Sequence, residues 1–201
     1  MLSYQIILSL LRIRFLLLFG TSKHATADWL TRASRRSHLQ ATRLEENLAL
    51  VLLSIASAHA SRDALAPVGA VVFSPITDLA LTGESYETRA EADLYFTKSQ
   101  AAGLVRSYLG PADPKNPLAS PLSADLTGLP PIRVHVGDDE VLLDDSRRYV
   151  ERAVAAGVDA KLDIWMGMPH GFVTNVGEFN AATRALKASG AFLTERLRRT
   201  A

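Results

Sequence analysis

Residues 132–165 decide the fold; they read IRVHVGDDEVLLDDSRRYVERAVAAGVDAKLDIW. Residues 132–136 indicate a strand, and 144–156 indicates a helix that ends at Gly157, because glycine readily adopts the left-handed conformation found after a helix. Residues 161–165 predict another strand. A strand, a helix and a strand in this order predict a parallel sheet covered by helices, which is the α/β fold class.

The alternation of helices and strands continues on both sides of this stretch. On the amino-terminal side, 47–60 is rich in alanine, leucine and isoleucine and predicts a buried helix, and 68–73 indicates a short buried strand. Residues 84–109 carry a mixed helical periodicity that stops at a Gly-Pro pair, and 111–131 predicts a loop rich in proline, serine and aspartate. On the carboxyl-terminal side, 178–197 predicts an amphipathic helix.

The composition is that of an ordinary globular protein. The 201 residues are 48% hydrophobic and 21% charged, which excludes a disordered, collagen-like or low-complexity chain. The formal net charge is +1, so no charge imbalance argues for a nucleic-acid partner. The absence of cysteine excludes disulfides, thiolate metal sites, iron–sulfur clusters and cysteine nucleophiles, and no cofactor is expected.

The composition changes near residue 46. Residues 1–46 hold seven of the 22 basic residues, three of the 21 acidic residues and one of the 12 glycines, Gly20. All nine prolines lie further along the chain, beginning at Pro67. The first segment therefore lacks the turn residues that punctuate the second. The sequence divides into an aberrant segment, 1–46, and a portion of a folded domain, 47–201.

The amino-terminal segment is apolar but does not predict a stable membrane span. Arg12 and Arg14 interrupt residues 1–19, so no apolar run approaches the roughly 20 residues that a spanning helix needs. Residues 25–27, Ala-Thr-Ala, have the small side chains of a signal-peptide cleavage site, but the charges lie inside the apolar run and not before it. A cytoplasmic protein is expected.

Two polar loops follow neighbouring strands, at the edge where chemistry collects in parallel sheets. Residues 137–145, GDDEVLLDD, follow the strand 132–136, and residues 167–172, GMPHGF, follow the strand 161–165. A carboxylate from the first loop and His170 from the second predict an acid–histidine pair, in which the carboxylate orients the imidazole of a hydrolase triad. An ordinary loop histidine is the alternative.

The carboxylates of the first loop have simpler interpretations as well. Asp144 and Asp145 precede a helix, where carboxylates cap free N–H groups and complement the helix dipole. Asp138, Asp139 and Glu140 are either solvated loop charges or part of a calcium loop, although the glycine and terminal glutamate of an EF-hand are missing. A metal-dependent hydrolase that combines the loop histidine with one of the first two aspartates would need further ligands, which the sequence does not supply at a recognisable spacing.

Several short motifs occur in an order that is found in one enzyme family. They are NLAL at 47–50, SPITDL at 74–79, GES at 83–85, ASPL at 119–122, LPP at 129–131, GDDEVLLDD at 137–145 and MPH at 168–170. Together they closely resemble the carboxyl-terminal part of bacterial hormone-sensitive-lipase-like esterases, which are α/β hydrolases. The resemblance implies that His170 is the catalytic base, that Glu140 is the acid and that 84–109 lies near the substrate entrance. It implies small-molecule esters with short to medium acyl groups as substrates.

The resemblance fails where the family carries its nucleophile. The family has a Gly-Asp-Ser-Ala-Gly-Gly elbow directly before the Asn-Leu-Ala-Leu motif, and a His-Gly-Gly-Gly oxyanion loop further upstream. In this chain the elbow position, 41–46, reads Ala-Thr-Arg-Leu-Glu-Glu, so Arg43 stands where the serine would be, and no His-Gly-Gly-Gly occurs. We therefore expect no esterase turnover and poor solubility from the chain as written. A non-catalytic binding or membrane-attached protein that uses 1–19 as an anchor is the alternative.

The genetic code offers an explanation for this departure. When each codon is rebuilt from the last base of one codon and the first two bases of the next, residues 40–46 can encode Gly-Asp-Ser-Ala-Gly-Gly without conflict. The same shift over 5–18 permits Asn/Asp-Tyr, one free residue and then Leu-Ala-Pro-Glu-Asn/Asp-Pro-Phe-Pro-Ala-Ala, a string similar to the family's segment between the oxyanion loop and the elbow. The hypothesis that follows is that 1–46 is an out-of-frame reading and that the true frame resumes at Asn47.

Overall fold

The computed structural model describes residues 42–59 and 67–199. Most of the segment 1–46, including its apolar run and its cleavage-like site, lies outside the described residues. The first described element, helix α1, spans Thr42–His59, so it begins before the predicted start at Asn47. Of the helices within the described ranges, none is both long enough and apolar enough to cross a membrane.

A parallel sheet forms the centre of the described fold. Its strands are β1 (Ala70–Phe73), β2 (Ile132–Gly137) and β3 (Ala160–Trp165). They lie in the order β1-β2-β3, and both neighbouring pairs are parallel. The register places Val134 of β2 between Val72 of β1 and Leu162 of β3. The predicted α/β class and its parallel sheet are confirmed.

The helices after α1 agree with the predicted ones except in one region. They are α2 (Ser85–Thr88), α3 (Lys98–Leu109), α4 (Leu143–Ala155) and α5 (Asn180–Arg199), and two 3₁₀ turns span Pro121–Ser123 and Phe172–Thr174. The prediction of helical structure through 84–109 is wrong for its middle part, because 89–97 forms turns and irregular backbone. A capping box starts a new helix there: the Thr97 hydroxyl accepts from the Gln100 N–H, and the Gln100 side chain accepts from the Thr97 N–H.

The two faces of the sheet pack against different helices. Val134 joins Leu50 of α1 and Tyr149 of α4 in the main hydrophobic core, and all three side chains are fully buried. Successive residues of a strand point to opposite faces, so Phe73 faces the other way and packs with Phe172 near α5. Coverage of both faces explains why the four residues of β1, Ala-Val-Val-Phe, are all apolar. The loops at the carboxyl ends of the strands lie at one edge of this layered arrangement.

Candidate active site

The candidate site lies where β2 and β3 end. Because these strands are parallel neighbours, the loop after Gly137 and the loop after Trp165 leave the sheet side by side. The loops are in direct contact, since the Asp139 N–H donates to the Met168 carbonyl at 3.3 Å. A Cβ atom on Gly137 would lie 1.9 Å from the Met168 carbonyl oxygen, so the close approach of the two loops requires glycine at this position.

The two residues that the sequence singles out as an acid–histidine pair, Glu140 and His170, meet in these loops. His170 Nδ1 lies 2.8 Å from Glu140 Oε2, and both residues are buried, with 0% of Glu140 and 6% of His170 exposed. An ionised carboxylate only accepts hydrogen bonds, so Nδ1 of the neutral imidazole carries the proton. The lone pair of that neutral ring is then on Nε2, which is the tautomer that a general base requires.

The second carboxylate oxygen of Glu140 is held from the sheet. Glu140 Oε1 accepts from the Ser74 hydroxyl at 2.7 Å and from the Gly137 N–H. Ser74 follows β1 directly and has φ 49°, a left-handed conformation that is uncommon for a residue other than glycine. Ser74 belongs to the SPITDL motif, which by itself predicts no role for this hydroxyl, but its position at the end of a neighbouring strand is the signal that points to it. Each oxygen of the carboxylate therefore has a defined partner.

Three further carboxylates of the acid loop, residues 137–145, bind backbone groups: those of Asp138, Asp144 and Asp145. Asp138 Oδ1 accepts from the Gly167 N–H, which fixes the start of the histidine loop. Asp144 and Asp145 lie in the first turn of α4, where acids complement the helix dipole as predicted, but the predicted capping is wrong, because their carboxylates bind backbone N–H groups outside this helix. Asp144 Oδ2 instead accepts from the Ser85 N–H at 2.8 Å. Over the described ranges, no three histidine, aspartate or glutamate side chains are grouped so that they could hold a metal ion.

Asp145 holds the segment that follows β1. It is fully buried, and its Oδ2 atom accepts from the Thr77 N–H at 2.7 Å and from the Asp78 N–H at 2.9 Å. Burial raises the pKa of Asp145 to about 7, although the two backbone hydrogen bonds oppose this change. The contact thus anchors the irregular chain between Ser74 and α2 to the first turn of α4, at the cost of a carboxylate buried from water.

Asp145→Asn is expected to remove a pH-dependent part of the stability. The ordinary pKa of this carboxyl is 3.8 and the folded one is about 7, so the folded state binds more protons between these values. The free energy of unfolding therefore falls as the pH rises through this window, by up to roughly 1.4 kcal/mol per pH unit for this group. Asparagine keeps an acceptor oxygen but has no charge. Urea unfolding at pH 5 and pH 8 should show that the variant gains stability relative to the original chain at the higher pH.

Thr77→Val is the matched control for this measurement. The Thr77 hydroxyl donates to the Asp145 carbonyl at 2.9 Å, so the variant loses a neighbouring buried hydrogen bond but no ionisable group. It is expected to be less stable by about 1 kcal/mol, equally at both pH values. A difference between Asp145→Asn and the original chain that stays constant with pH would contradict the prediction.

A second buried histidine, His135 on β2, was not singled out from the sequence. Its Nε2 atom lies 3.1 Å from the Ser189 hydroxyl, and its Nδ1 atom lies 3.7 Å from Asp163 Oδ2, so the three residues have the composition of a Ser-His-Asp triad. However, the Trp165 Nε1–H also points at Nδ1, at 3.2 Å. An indole N–H can only donate, so Nδ1 is an acceptor and the proton of the neutral ring is on Nε2.

The tautomer of His135 excludes it as a base for Ser189. The ring donates to the serine oxygen from Nε2, and the serine hydroxyl donates to the Ala185 carbonyl at 2.8 Å. Burial lowers the pKa of His135 to about 4, with Asp163 opposing and Lys161 adding to the shift. The ring also stacks on Phe73, with ring centroids 5.1 Å apart. His135 is a structural side chain between the sheet and α5.

Comparisons with known proteins match the larger part of the chain. A family model described as "alpha/beta hydrolase fold" matches residues 47–174. An acetyl-hydrolase of Streptomyces hygroscopicus is 38% identical over 143 residues, which are 70% of this chain and 48% of that protein. An esterase of Acinetobacter venetianus is 37% identical over 131 residues, 65% of this chain and 43% of that protein. The chain therefore spans about half the length of the curated relatives that it matches.

Solved structures give the same result for the fold. The crystal structure of an esterase from the bacterial hormone-sensitive lipase family superposes with a TM-score of 0.72 at 38% identity, and the match covers 77% of this chain and 51% of that one. A hormone-sensitive lipase from a metagenome library superposes with a TM-score of 0.72 at 36% identity. The similarity in sequence and in fold thus concerns one half of these enzymes.

Proposed function

This chain belongs to the α/β-hydrolase family, and we propose that residues 47–201 are the carboxyl-terminal part of an esterase that hydrolyses carboxylic esters with short to medium acyl groups. The observation that carries the proposal is the buried pair Glu140–His170, with 2.8 Å between Oε2 and Nδ1. The names of the relatives, acetyl-hydrolase and esterase, support the reaction class. Small ester molecules are the proposed substrates, and no cofactor takes part.

In the proposed mechanism, the histidine activates a serine hydroxyl. His170 accepts the serine proton at Nε2 while the serine oxygen attacks the ester carbonyl, and it returns the proton to the leaving alcohol. Glu140 keeps the proton on Nδ1 and stabilises the imidazolium that forms during the attack. Backbone N–H groups of an oxyanion loop stabilise the charge on the carbonyl oxygen. Water then hydrolyses the acyl-enzyme by the same proton transfers.

The chain as written lacks two parts of this machinery. Arg43 stands at the nucleophile position in the first turn of α1, and its side chain lies outside the described residues. An arginine cannot act as an acyl-transfer nucleophile, because its guanidinium stays protonated and has no lone pair to offer. The His-Gly-Gly-Gly motif is absent from the sequence. We therefore propose that this chain does not turn over esters.

An out-of-frame reading of residues 1–46 accounts for the missing parts. The family match begins at Asn47, the residue at which the proposed frame resumes, and this agreement supports the proposal. The backbone around Arg43 is helical from Thr42 onward, whereas a nucleophile elbow is a tight strand-to-helix turn that depends on glycine. The change in charge and in proline content at residue 46 is independent support.

The gene provides the test of this proposal. Read one base out of phase over codons 5–46, the DNA is expected to encode the serine elbow without a stop codon. The corrected protein should hydrolyse p-nitrophenyl acetate or butyrate, whereas the purified chain as written should show no more turnover than its His170→Ala variant. Arg43→Ser alone should not restore turnover, because the glycines and the oxyanion loop remain absent. Stop codons in the shifted frame would overturn the proposal and favour a non-catalytic binding protein.

A further inference from the structure

Asp93 links two segments that are far apart in the sequence. It lies in the irregular chain between α2 and α3 and is 4% exposed. Its Oδ1 atom accepts from the Tyr95 N–H at 3.1 Å and from the Phe96 N–H at 3.0 Å, which forms a tight local turn. Its Oδ2 atom accepts from the Val141 N–H at 2.9 Å. One buried carboxylate therefore binds three backbone N–H groups on both segments.

Each of the two segments contacts one member of the acid–histidine pair. Val141 directly follows Glu140, so its backbone position fixes where the acid loop passes. Phe96 is fully buried, and its ring centroid lies 5.3 Å from that of His170, with the two rings tilted by 35°. Such an arrangement is in the favourable range for ring–ring contacts. Asp93 thus joins the backbone beside the acid to the ring beside the base.

We propose that Asp93 is a positioning residue that holds the Phe96 ring against the His170 imidazole and so sets the orientation of the base toward Glu140. The inference rests on the proposed function, in which His170 is that base. The segment needs such an anchor because its backbone is not part of a helix or strand, and its neighbouring side chain Leu94 is 81% exposed. A carboxylate suits the place because its two oxygens accept on opposite sides; an amide offers only one acceptor oxygen.

The experiment compares Asp93→Asn with the original full chain by nuclear magnetic resonance and amide hydrogen exchange. Asparagine can keep the local turn through its oxygen, but its NH₂ group then faces the Val141 N–H. We expect exchange at the Val141 amide to accelerate about tenfold to a hundredfold, the effect of losing one hydrogen bond to a charged group. The ring-proton resonances of His170 should shift in the same variant, because the Phe96 ring moves.

Asp113→Asn is the matched control. Asp113 forms the same kind of local turn, with Oδ1 accepting from the Lys115 N–H at 2.9 Å, but this turn is exposed. The control should leave the His170 resonances unchanged. A shift of these resonances in Asp113→Asn as large as in Asp93→Asn would show that the effect is general loosening, and it would overturn the proposal.

Phe96→Leu tests the contact itself without relying on the folding of the Asp93 variant. It removes the ring but keeps an apolar side chain, and it should shift the His170 resonances on its own. The double variant Asp93→Asn/Phe96→Leu should shift them no further than Phe96→Leu alone, because both changes act through one contact. Unchanged His170 resonances in Phe96→Leu, or additive shifts in the double variant, would overturn the inference. None of these readouts depends on ester turnover, so failure of the proposed esterase function would appear separately, in the assay of the corrected protein.

Discussion

In the protein with its reading frame restored, His170→Ala is expected to lower kcat for p-nitrophenyl butyrate by about four to six orders of magnitude, as the loss of the base does in other triads. The reason is that a serine hydroxyl is a weak nucleophile until an adjacent base accepts its proton. KM should change little, because the imidazole acts on the reacting atoms and not on the acyl chain. The measurement is steady-state kinetics of the purified variant.

His135→Gln is the matched control for the His170 variant. Both histidines are buried, but His135 binds Trp165 and Ser189 on the opposite side of β2 from the main core. The control should lower the free energy of unfolding, because a buried hydrogen-bonded ring is lost, and should leave kcat within about tenfold of the original value. A His170→Ala enzyme that retains most of its kcat, or a His135→Gln enzyme that is folded but inactive, would show that the base is assigned to the wrong histidine.

The sequence predicts the strands and the meeting of the two loops because these depend on local patterns. A strand pattern followed by a polar loop is visible twice in the sequence, and the parallel connection then places the loops after β2 and β3 together. The distance of 2.8 Å between the pair agrees with this expectation. The choice of Glu140 among the loop acids came from the family resemblance, and the catalytic roles of the pair stay a proposal. The geometry alone identifies a buried acid–histidine contact.

The partners of the other acids could not be predicted, because they come from distant parts of the chain. Asp145 holds the Thr77 N–H across 68 residues, and Asp144 holds the Ser85 N–H across 59. The local rule for acids at the start of a helix favours capping, but both Asp144 and Asp145 bind the segment after β1 instead. Contacts with residues distant in the sequence therefore outweigh the local preference of these acids for capping the helix.

The position of the ring proton in the two buried histidines also could not be predicted from the local sequence. His135 and His170 each lie near a carboxylate, and the group that binds Nδ1 of each ring decides its role. Trp165 donates to Nδ1 of His135 and places the ring proton on Nε2, whereas Glu140 accepts from Nδ1 of His170 and leaves Nε2 with the lone pair. The tautomer is fixed by residues that no spacing rule connects. A count of histidines and acids in the sequence could not have made this distinction.

Glu140→Gln in the frame-restored protein is expected to lower kcat by about two to four orders of magnitude, by analogy with the loss of the acid in a worked triad. The structure gives the reason. Two donors, the Ser74 hydroxyl and the Gly137 N–H, face Oε1, so the amide oxygen of glutamine will take that side. Its NH₂ group then faces His170 Nδ1, which must accept, and the ring proton moves to Nε2. The neutral imidazole is thereby held in the tautomer that cannot accept the serine proton.

Asp138→Asn and Asp139→Asn are the controls for the acid assignment, since they change the same loop by the same chemistry. Asparagine at 138 keeps an oxygen for the Gly167 N–H, and the contact of residue 139 with the Met168 carbonyl comes from its backbone. Both variants should keep kcat/KM within about threefold of the original value, because the carboxylate within hydrogen-bond distance of His170 Nδ1 is that of Glu140. Loss of activity in either of them, with retention in Glu140→Gln, would place the acid elsewhere in the loop. The expected order, with Glu140→Gln alone impaired among these three variants, follows because Glu140 binds His170 through Oε2 while two donors hold its Oε1.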